Sequence, residues 1–258
     1  MVDISEQDRN YFHTEIQQPN KIDKQASTFV SIAKVFGVVS IGLLISAVVA
    51  FGVGALVFYY FALPYQDTRQ ISQIFVIITA VSLAALLIDS LIINFVILRG
   101  KHSILIPGII YSVLVGTAFS MLTIVVNWST IGMAFGITAL CFVLMSLISF
   151  LSKGNMSPIL LVILALFVGT GLLILADFII AITTGRALNW LYIGISIGIL
   201  AIIMFTSIYD LWRIKTIAAD GMMNKSMTLY CAFVIYTDFI SLFIRILYFL
   251  LIIFARKK

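Results

Sequence analysis

The chain has 258 residues, 62% of them hydrophobic and 10% charged, with a formal net charge of +5 and a mean hydropathy of +1.16. Ordinary soluble domains are roughly half apolar and about a quarter charged, so a soluble fold is excluded and no room is left for a large soluble domain. Most of the Lys and Arg residues fall in the polar tail, the breaks and the chain ends, where they report topology and headgroup contact rather than nucleic-acid binding.

Residues 1–33 form a polar tail of mixed charge, from Asp3, Glu6, Asp8 and Arg9 to Lys21, Asp23 and Lys24. No apolar stretch lies near Met1, so no cleavable signal peptide is expected and the first span doubles as the insertion signal. Residues 34–258 then hold seven apolar segments, at about 36–63, 71–98, 104–126, 131–151, 158–182, 188–210 and 228–255. A helix needs about 20 apolar residues to cross roughly 30 Å of hydrocarbon, and each segment meets that length. The predicted fold is therefore all-α, a polytopic membrane helix bundle with seven transmembrane helices.

Most breaks carry turn or charge chemistry: Pro64-Tyr65-Gln66-Asp67, Arg99-Gly100-Lys101-His102, Asn127-Trp128-Ser129, Ser152-Lys153-Gly154-Asn155 and Thr184-Gly185-Arg186. Connections this short make successive helices antiparallel. The longer stretch from Leu211 to Met227 carries Arg213, Lys215, Asp220 and Lys225, and one or both flanking helices are expected to extend into it.

Lys and Arg accumulate on the cytoplasmic side of a membrane protein. With the N-terminus inside, that side holds Arg9, Lys21, Lys24, Lys34, Arg99, Lys101, Lys153, Arg213, Lys215 and Lys225, against Arg69, Arg186, Arg256, Lys257 and Lys258 outside. A cytoplasmic N-terminus is favoured, although Arg256-Lys257-Lys258 pulls the other way and would be inside if the last segment were re-entrant. Short loops and small size suit a bacterial plasma membrane, with an endomembrane as the alternative.

Small residues recur at four-residue spacing in Gly42/Ser46, Gly116/Ser120, Gly132/Gly136 and Gly194/Gly198, a pattern that lets helices approach closely. Cys141 and Cys231 lie in apolar runs and read as core residues rather than a disulfide or zinc site. His13 and His102 have no second ligand at metal spacing. No resident cofactor is indicated.

An ionisable side chain at membrane depth costs at least about 2.5–3.5 kcal/mol on insertion scales, so each is a functional candidate. Five qualify: Asp89, Asp177, Asp210, Asp238 and Arg245. In the last segment Tyr230, Thr237, Asp238, Ser241, Arg245 and Tyr248 fall within an arc of about 100°, which reads as a polar stripe facing protein or water and lining a pore. The alternative is a stripe that only glues helices together. Asp210 ends segment six, Asp238 lies in segment seven, and an antiparallel hairpin folding near Asn224 can bring the two level. Two carboxylates meeting in a poorly solvated site cannot readily both ionise, so such a pair holds a proton near neutral pH. When deprotonated it offers hard oxygen ligands, which suit Ca²⁺.

At these residues a resemblance emerges. Ser207-Ile208-Tyr209-Asp210-Leu211-Trp212-Arg213-Ile214-Lys215 and Tyr236-Thr237-Asp238-Phe239-Ile240-Ser241-Leu242-Phe243 are similar to the tyrosine-aspartate and aspartate-phenylalanine signatures of the Bax inhibitor (transmembrane Bax inhibitor motif) family. Ile137-Thr138-Ala139 and Ser152-Lys153-Gly154-Asn155-Met156-Ser157 resemble its middle region. The likeness implies a seven-helix bundle with the last helix central, acting as a pH-sensitive Ca²⁺ leak channel. Asp210 and Asp238 would be its proton-sensing pair, and Arg99 or Lys101 the basic residue that latches it. Arg245 departs from the family pattern, placing a cation where an uncharged polar residue is usual, and would lower Ca²⁺ throughput by repulsion.

Three other readings remain open. An intramembrane aspartyl protease also uses two membrane aspartates sharing a proton, but Ile235-Tyr236-Thr237 precedes Asp238 where a glycine is expected, and no proline follows Pro158. A proton-coupled transporter would relay protons through Asp89, Asp177, Asp210 and Asp238. A non-conducting regulator would work through other membrane proteins. The expected partners are the lipid bilayer, Ca²⁺ as permeant or bound ion, and protons, with no nucleic acid.

Overall fold

A computed structural model describes residues 21–61, 68–98, 105–152, 156–184 and 189–255. Long apolar runs without interior proline satisfy every backbone group within the helix, the arrangement that hydrocarbon demands. Among the described residues the elements are all helical: α1 Lys21–Phe61, α2 Thr68–Leu98, α3 Leu105–Phe119, α4 Leu122–Val125, α5 Trp128–Leu151, α6 Ser157–Thr184, α7 Asn189–Ala219 and α8 Lys225–Ala255. The chain's two membrane prolines sit at helix starts, Pro107 in the first turn of α3 and Pro158 in that of α6, where a missing N–H costs nothing.

Six of these helices are long and apolar enough to span a membrane, and the third apolar segment differs from expectation. It is not one helix. Ser120-Met121 forms a turn between α3 and the single-turn α4, and the hydroxyls explain the break. Ser120 Oγ donates to the Thr117 carbonyl at 2.7 Å and Thr123 Oγ1 to the Ser120 carbonyl at 2.7 Å. The matching backbone bonds, Ser120 N to Thr117 O and Thr123 N to Ser120 O, also span three residues. Local hydroxyl bonding tightens the backbone and interrupts the helical ladder.

The first helix also starts earlier than the apolar segment, at Lys21, because Lys21–Ala26 contains good helix formers and no Gly or Pro. Between segments six and seven, both helices extend, leaving Asp220–Asn224 as the connection. Gly221 has φ +73, the left-handed geometry that glycine adopts without strain. Gly221 N bonds Ala218 O and Met222 N bonds Ile217 O, which together close α7 with a Schellman motif. Three residues later, Asn224 Oδ1 accepts from Met227 N at 2.8 Å and caps α8. The α7–α8 hairpin is therefore fixed at both sides of its turn.

The last helix is central. It packs against α1, α3, α5 and α7, and its Cys231, Ile235, Tyr236, Phe239, Leu242 and Leu247 are all buried. α2 packs chiefly on α3 and α6 chiefly on α7. Close approach of α1 and α3 needs two glycines. A Cβ on Gly116 would meet Ser46 O at 2.5 Å and Val49 Cβ at 2.8 Å, and one on Gly42 would meet Ser112 Oγ and Tyr236 Cδ2, each at 3.2 Å. Gly198 lies similarly close to Thr170, whereas Gly132, Gly136 and Gly194 have open space around them.

At that crossing a polar knot joins three helices. Ser46 Oγ on α1 donates to Ser112 O on α3 at 2.7 Å and shares a hydrogen bond with the Tyr236 hydroxyl on α8. Tyr236→Phe is expected to cost about 1 kcal/mol, the usual worth of an interhelical hydrogen bond in a membrane, read as a lowered thermal unfolding midpoint in detergent.

Candidate functional site

The α7–α8 hairpin folds about Asn224, so positions equally distant from it face each other. Asp210 and Asp238 are such a pair. Both are partly buried, and the Asp210 charge acts directly on Asp238. The Asp238 Oδ2 atom is inaccessible and has no hydrogen-bond partner among the described residues. The fully buried Ser207 lies with its hydroxyl against the Asp238 carboxyl group while also bonding Ile203 O at 2.9 Å. On the other side of Asp210, the Arg213 guanidinium is exposed and close enough to act on its carboxylate. A small cavity of about 20 Å³ opens beside Asp210, lined by Asp210, Arg213, Ile214, Ile217, Tyr230, Cys231 and Val234. A cavity needs about 10–15 Å³ and a few polar partners to hold a water, so this one has room for a single water-sized species between Asp210, Arg213 and Tyr230.

Ser207 and Arg213 are additions to the sequence-derived set. Each is three residues from Asp210, the spacing that shares a helix face, and that periodicity is the signal that marks them. Lys215 is a third. Its Nζ donates to Phe150 O at 2.8 Å and Ser152 O at 3.0 Å, with Ser149 O at 3.5 Å, and lies 6.0 Å from the Phe150 ring centroid. A lysine at a helix C-terminus satisfies orphan carbonyls and complements the helix dipole; here it pins the C-terminal end of α7 to the end of α5. Charge-assisted bonds of this kind contribute about 1.5–3 kcal/mol. Lys215→Met should therefore lower the thermal midpoint clearly, and Lys215→Arg should restore part of the loss.

The remaining candidates lie elsewhere. Asp89 is 6% exposed on α2, its Oδ2 has no hydrogen-bond partner among the described residues, and its charge reaches Tyr111 on α3. Tyr111 in turn meets Tyr236 edge-on at 6.0 Å and Phe233 at 5.0 Å. Asp89 thus adjoins the polar knot rather than the α7–α8 pair. Asp177 is partly buried on α6, with Oδ1 inaccessible and without a hydrogen-bond partner among the described residues. Along α8, Thr237 and Arg245 are partly buried and Ser241 is exposed. The polar stripe lies largely opposite the face formed by Ile235, Phe239, Leu242 and Ile246, all buried, so it runs along the rim of the α7–α8 contact rather than through the packed centre. Arg99 and Lys101 lie outside the described residues.

No group of three or more His, Cys, Asp or Glu side chains converges among the described residues. The two aspartates offer fewer oxygen atoms than the six to eight that Ca²⁺ takes in a retained site.

Comparison with known proteins agrees with this architecture. The chain is 28% identical over 230 residues to an uncharacterized protein of Borreliella burgdorferi, an alignment that covers 85% of this chain and 90% of the relative. No solved structure matches it. The family described as inhibitor of apoptosis-promoting Bax1 matches residues 28–255, which take in both aspartates and all of the described spans but the first two residues of the first. A match of that extent places the chain in the Bax inhibitor family, as an integral, multi-pass membrane protein of helical type.

Proposed function

We propose that the protein is a pH-sensitive Ca²⁺ leak channel gated by a proton that Asp210 and Asp238 share. The observation that carries the reading is the placement of two carboxyl groups on either side of a capped hairpin, inside membrane-spanning helices and near enough for one charge to act on the other, with one oxygen of Asp238 inaccessible and unpartnered among the described residues. With a proton between them the pair carries one negative charge; without it, two like charges face each other in a medium that screens them poorly. Loss of the proton therefore favours separation of α7 from α8, and gain of it favours closure of that contact. Ca²⁺ is the cation whose preference for hard, anionic oxygen ligands matches the deprotonated state.

The side-chain arrangement supports the rest of the assignment in the same way. The pair is about 14 Å from the inner end of α7, counted at 1.5 Å per residue from Asp210 to Ala219, and Arg213, Lys215 and Lys225 gather at that end. An excess of basic residues marks the cytoplasmic side, so the proton switch reads cytoplasmic pH, in a bacterial plasma membrane with the N-terminus inside. Thr237, Ser241 and Arg245 would border the ion path along the rim of α8, where the Arg245 charge limits throughput.

The test is Ca²⁺ flux into dye-loaded liposomes that contain the purified chain, scanned from mildly acidic to mildly alkaline pH. Downhill flux that changes with pH and persists in the presence of a protonophore is the expected result. Absence of flux at every pH would overturn the channel, and flux that collapses with the protonophore would make the protein a proton-coupled transporter.

A further inference from the structure

Asp89 takes no part in the α7–α8 hairpin, and its surroundings differ from those of Asp210 and Asp238. Within the span Val76–Phe95 it lies about 9 Å from the nearer end at 1.5 Å per residue, a depth that so short a side chain cannot cover to reach the interface. Thr79, Ser82, Leu86, Asp89 and Ile93 fall within an arc of about 80° at 100° per residue. Ser82, Asp89 and Ile93 are buried, whereas Leu87, Ile88, Leu91 and Ile92 on the remaining surface are exposed. α2 packs chiefly on α3, so the Asp89 face is turned into protein and the rest of the helix toward hydrocarbon.

The carboxyl group has lost its water without gaining a countercharge. Its Oδ2 is inaccessible and has no hydrogen-bond partner among the described residues, and no basic side chain among them acts on it. Asp210, by contrast, has the Arg213 guanidinium close by, and Asp238 has the Ser207 hydroxyl. α3 carries one titratable side chain, Tyr111, which lies near the Asp89 carboxyl group. A phenol is neutral below about pH 10, so it balances no charge. The other charged residue of α2 is Arg69, about 30 Å away along the axis. In such a place an ionised carboxylate is disfavoured against the neutral acid, which gives up the charge and keeps a single O–H to satisfy. A metal ion does not take the proton's place, because no group of three or more His, Cys, Asp or Glu side chains converges among the described residues and one carboxylate offers too few oxygen ligands.

We propose that Asp89 is a second proton-binding site, separate from the hairpin pair: a carboxylic acid embedded between α2 and α3 that keeps its own proton at physiological pH. On the proposed gating, Asp210 and Asp238 share a proton that comes and goes. Asp89 has no second carboxylate opposite it on α3, and its proton is resident. The α2–α3 contact is then indifferent to pH while the α7–α8 contact responds, which divides the bundle into a fixed part and a moving one. The site stands whether or not the protein conducts.

Infrared spectroscopy reads the proton directly, since the carbonyl stretch of a carboxylic acid is separate from the bands of a carboxylate and of the amides. The purified full chain is measured in a detergent without ester groups, and the spectrum of Asp89→Asn is subtracted. One acid carbonyl band is expected in the difference, of constant intensity from mildly acidic to mildly alkaline pH, and present also in an Asp210→Asn/Asp238→Asn background. In that background, isotopic labelling of the aspartate carboxyl carbons should shift the same band, a readout that needs no substitution at Asp89. Because a neutral amide replaces a neutral acid of the same shape, the thermal midpoint of Asp89→Asn should stay near that of the unsubstituted chain across the range. A carboxylate band in place of the acid band would overturn the proposal and assign Asp89 an ionic partner, for which Arg99 and Lys101, outside the described residues, are the candidates. An acid band that fades as the pH rises through this range would also overturn it, and would make Asp89 a second titrating switch.

Discussion

Asp238→Asn is expected to flatten the pH profile of Ca²⁺ flux while leaving the protein folded. The amide matches the carboxyl group in size and keeps polar atoms beside Ser207, but it neither ionises nor shares a proton. One titrating proton changes an open-to-closed ratio by at most about tenfold per pH unit, since each unit is worth about 1.4 kcal/mol. That slope should vanish in Asp238→Asn and equally in Asp210→Asn. The double variant should add nothing, because interacting carboxylates titrate as a unit and not as two independent groups. Wild-type slopes in both single variants would remove the pair from the mechanism. Asp89→Asn is the informative control, since Asp89 adjoins Tyr111 and the polar knot and not the hairpin; the pH slope should survive it.

The second large effect is structural. Gly116→Ala places a methyl carbon 2.5 Å from Ser46 O and 2.8 Å from Val49 Cβ. The oxygen is backbone, so relief requires α1 and α3 to move apart. That movement stretches the Ser46–Ser112 hydrogen bond and draws Ser46 away from Tyr236. Overpacking of this sort costs about 1–3 kcal/mol, and with the knot loosened the loss should sit at the upper end, above that of Tyr236→Phe alone. Gly132→Ala should do the reverse, since nothing lies within 4 Å and alanine is favoured over glycine in a helix by up to about 1 kcal/mol. Thermal unfolding in detergent separates the two: a depressed midpoint for Gly116→Ala, and an unchanged or raised one for Gly132→Ala.

These two glycines mark a boundary of what the sequence discloses. Both belong to small-residue pairs at the same spacing, and spacing states only that a close approach is available, not which helix uses it. Hydropathy located the spans because a run of apolar residues is a local property. The extension of α7 and α8 into the charged stretch followed from the same local logic. Asp210 and Asp238 could be matched across the turn because a short antiparallel hairpin turns sequence offset into height. The break at Ser120-Met121 was hidden, since it carries no proline, glycine or charge and depends on hydroxyls bonding back by three residues. Lys215 was counted only as a topological charge. Its partners on α5 are 63 to 66 residues away, and no local pattern connects them.

The pinned end of α7 has a mechanical consequence. The Gly221 turn and the Lys215 clamp hold that helix at one end, and α7 is 31 residues long, about 45 Å at 1.5 Å per residue. Asp210 lies roughly a third of the way along from the fixed end. On the proposed gating, repulsion there would act on a lever with its fulcrum at the capped turn, so a 1 Å displacement between the aspartates would become about 3 Å at the far end, by simple proportion along a rigid rod. A single proton is a small input, and a long arm hinged near that input would convert it into a displacement of the order of an ion's diameter at the other end of the helix.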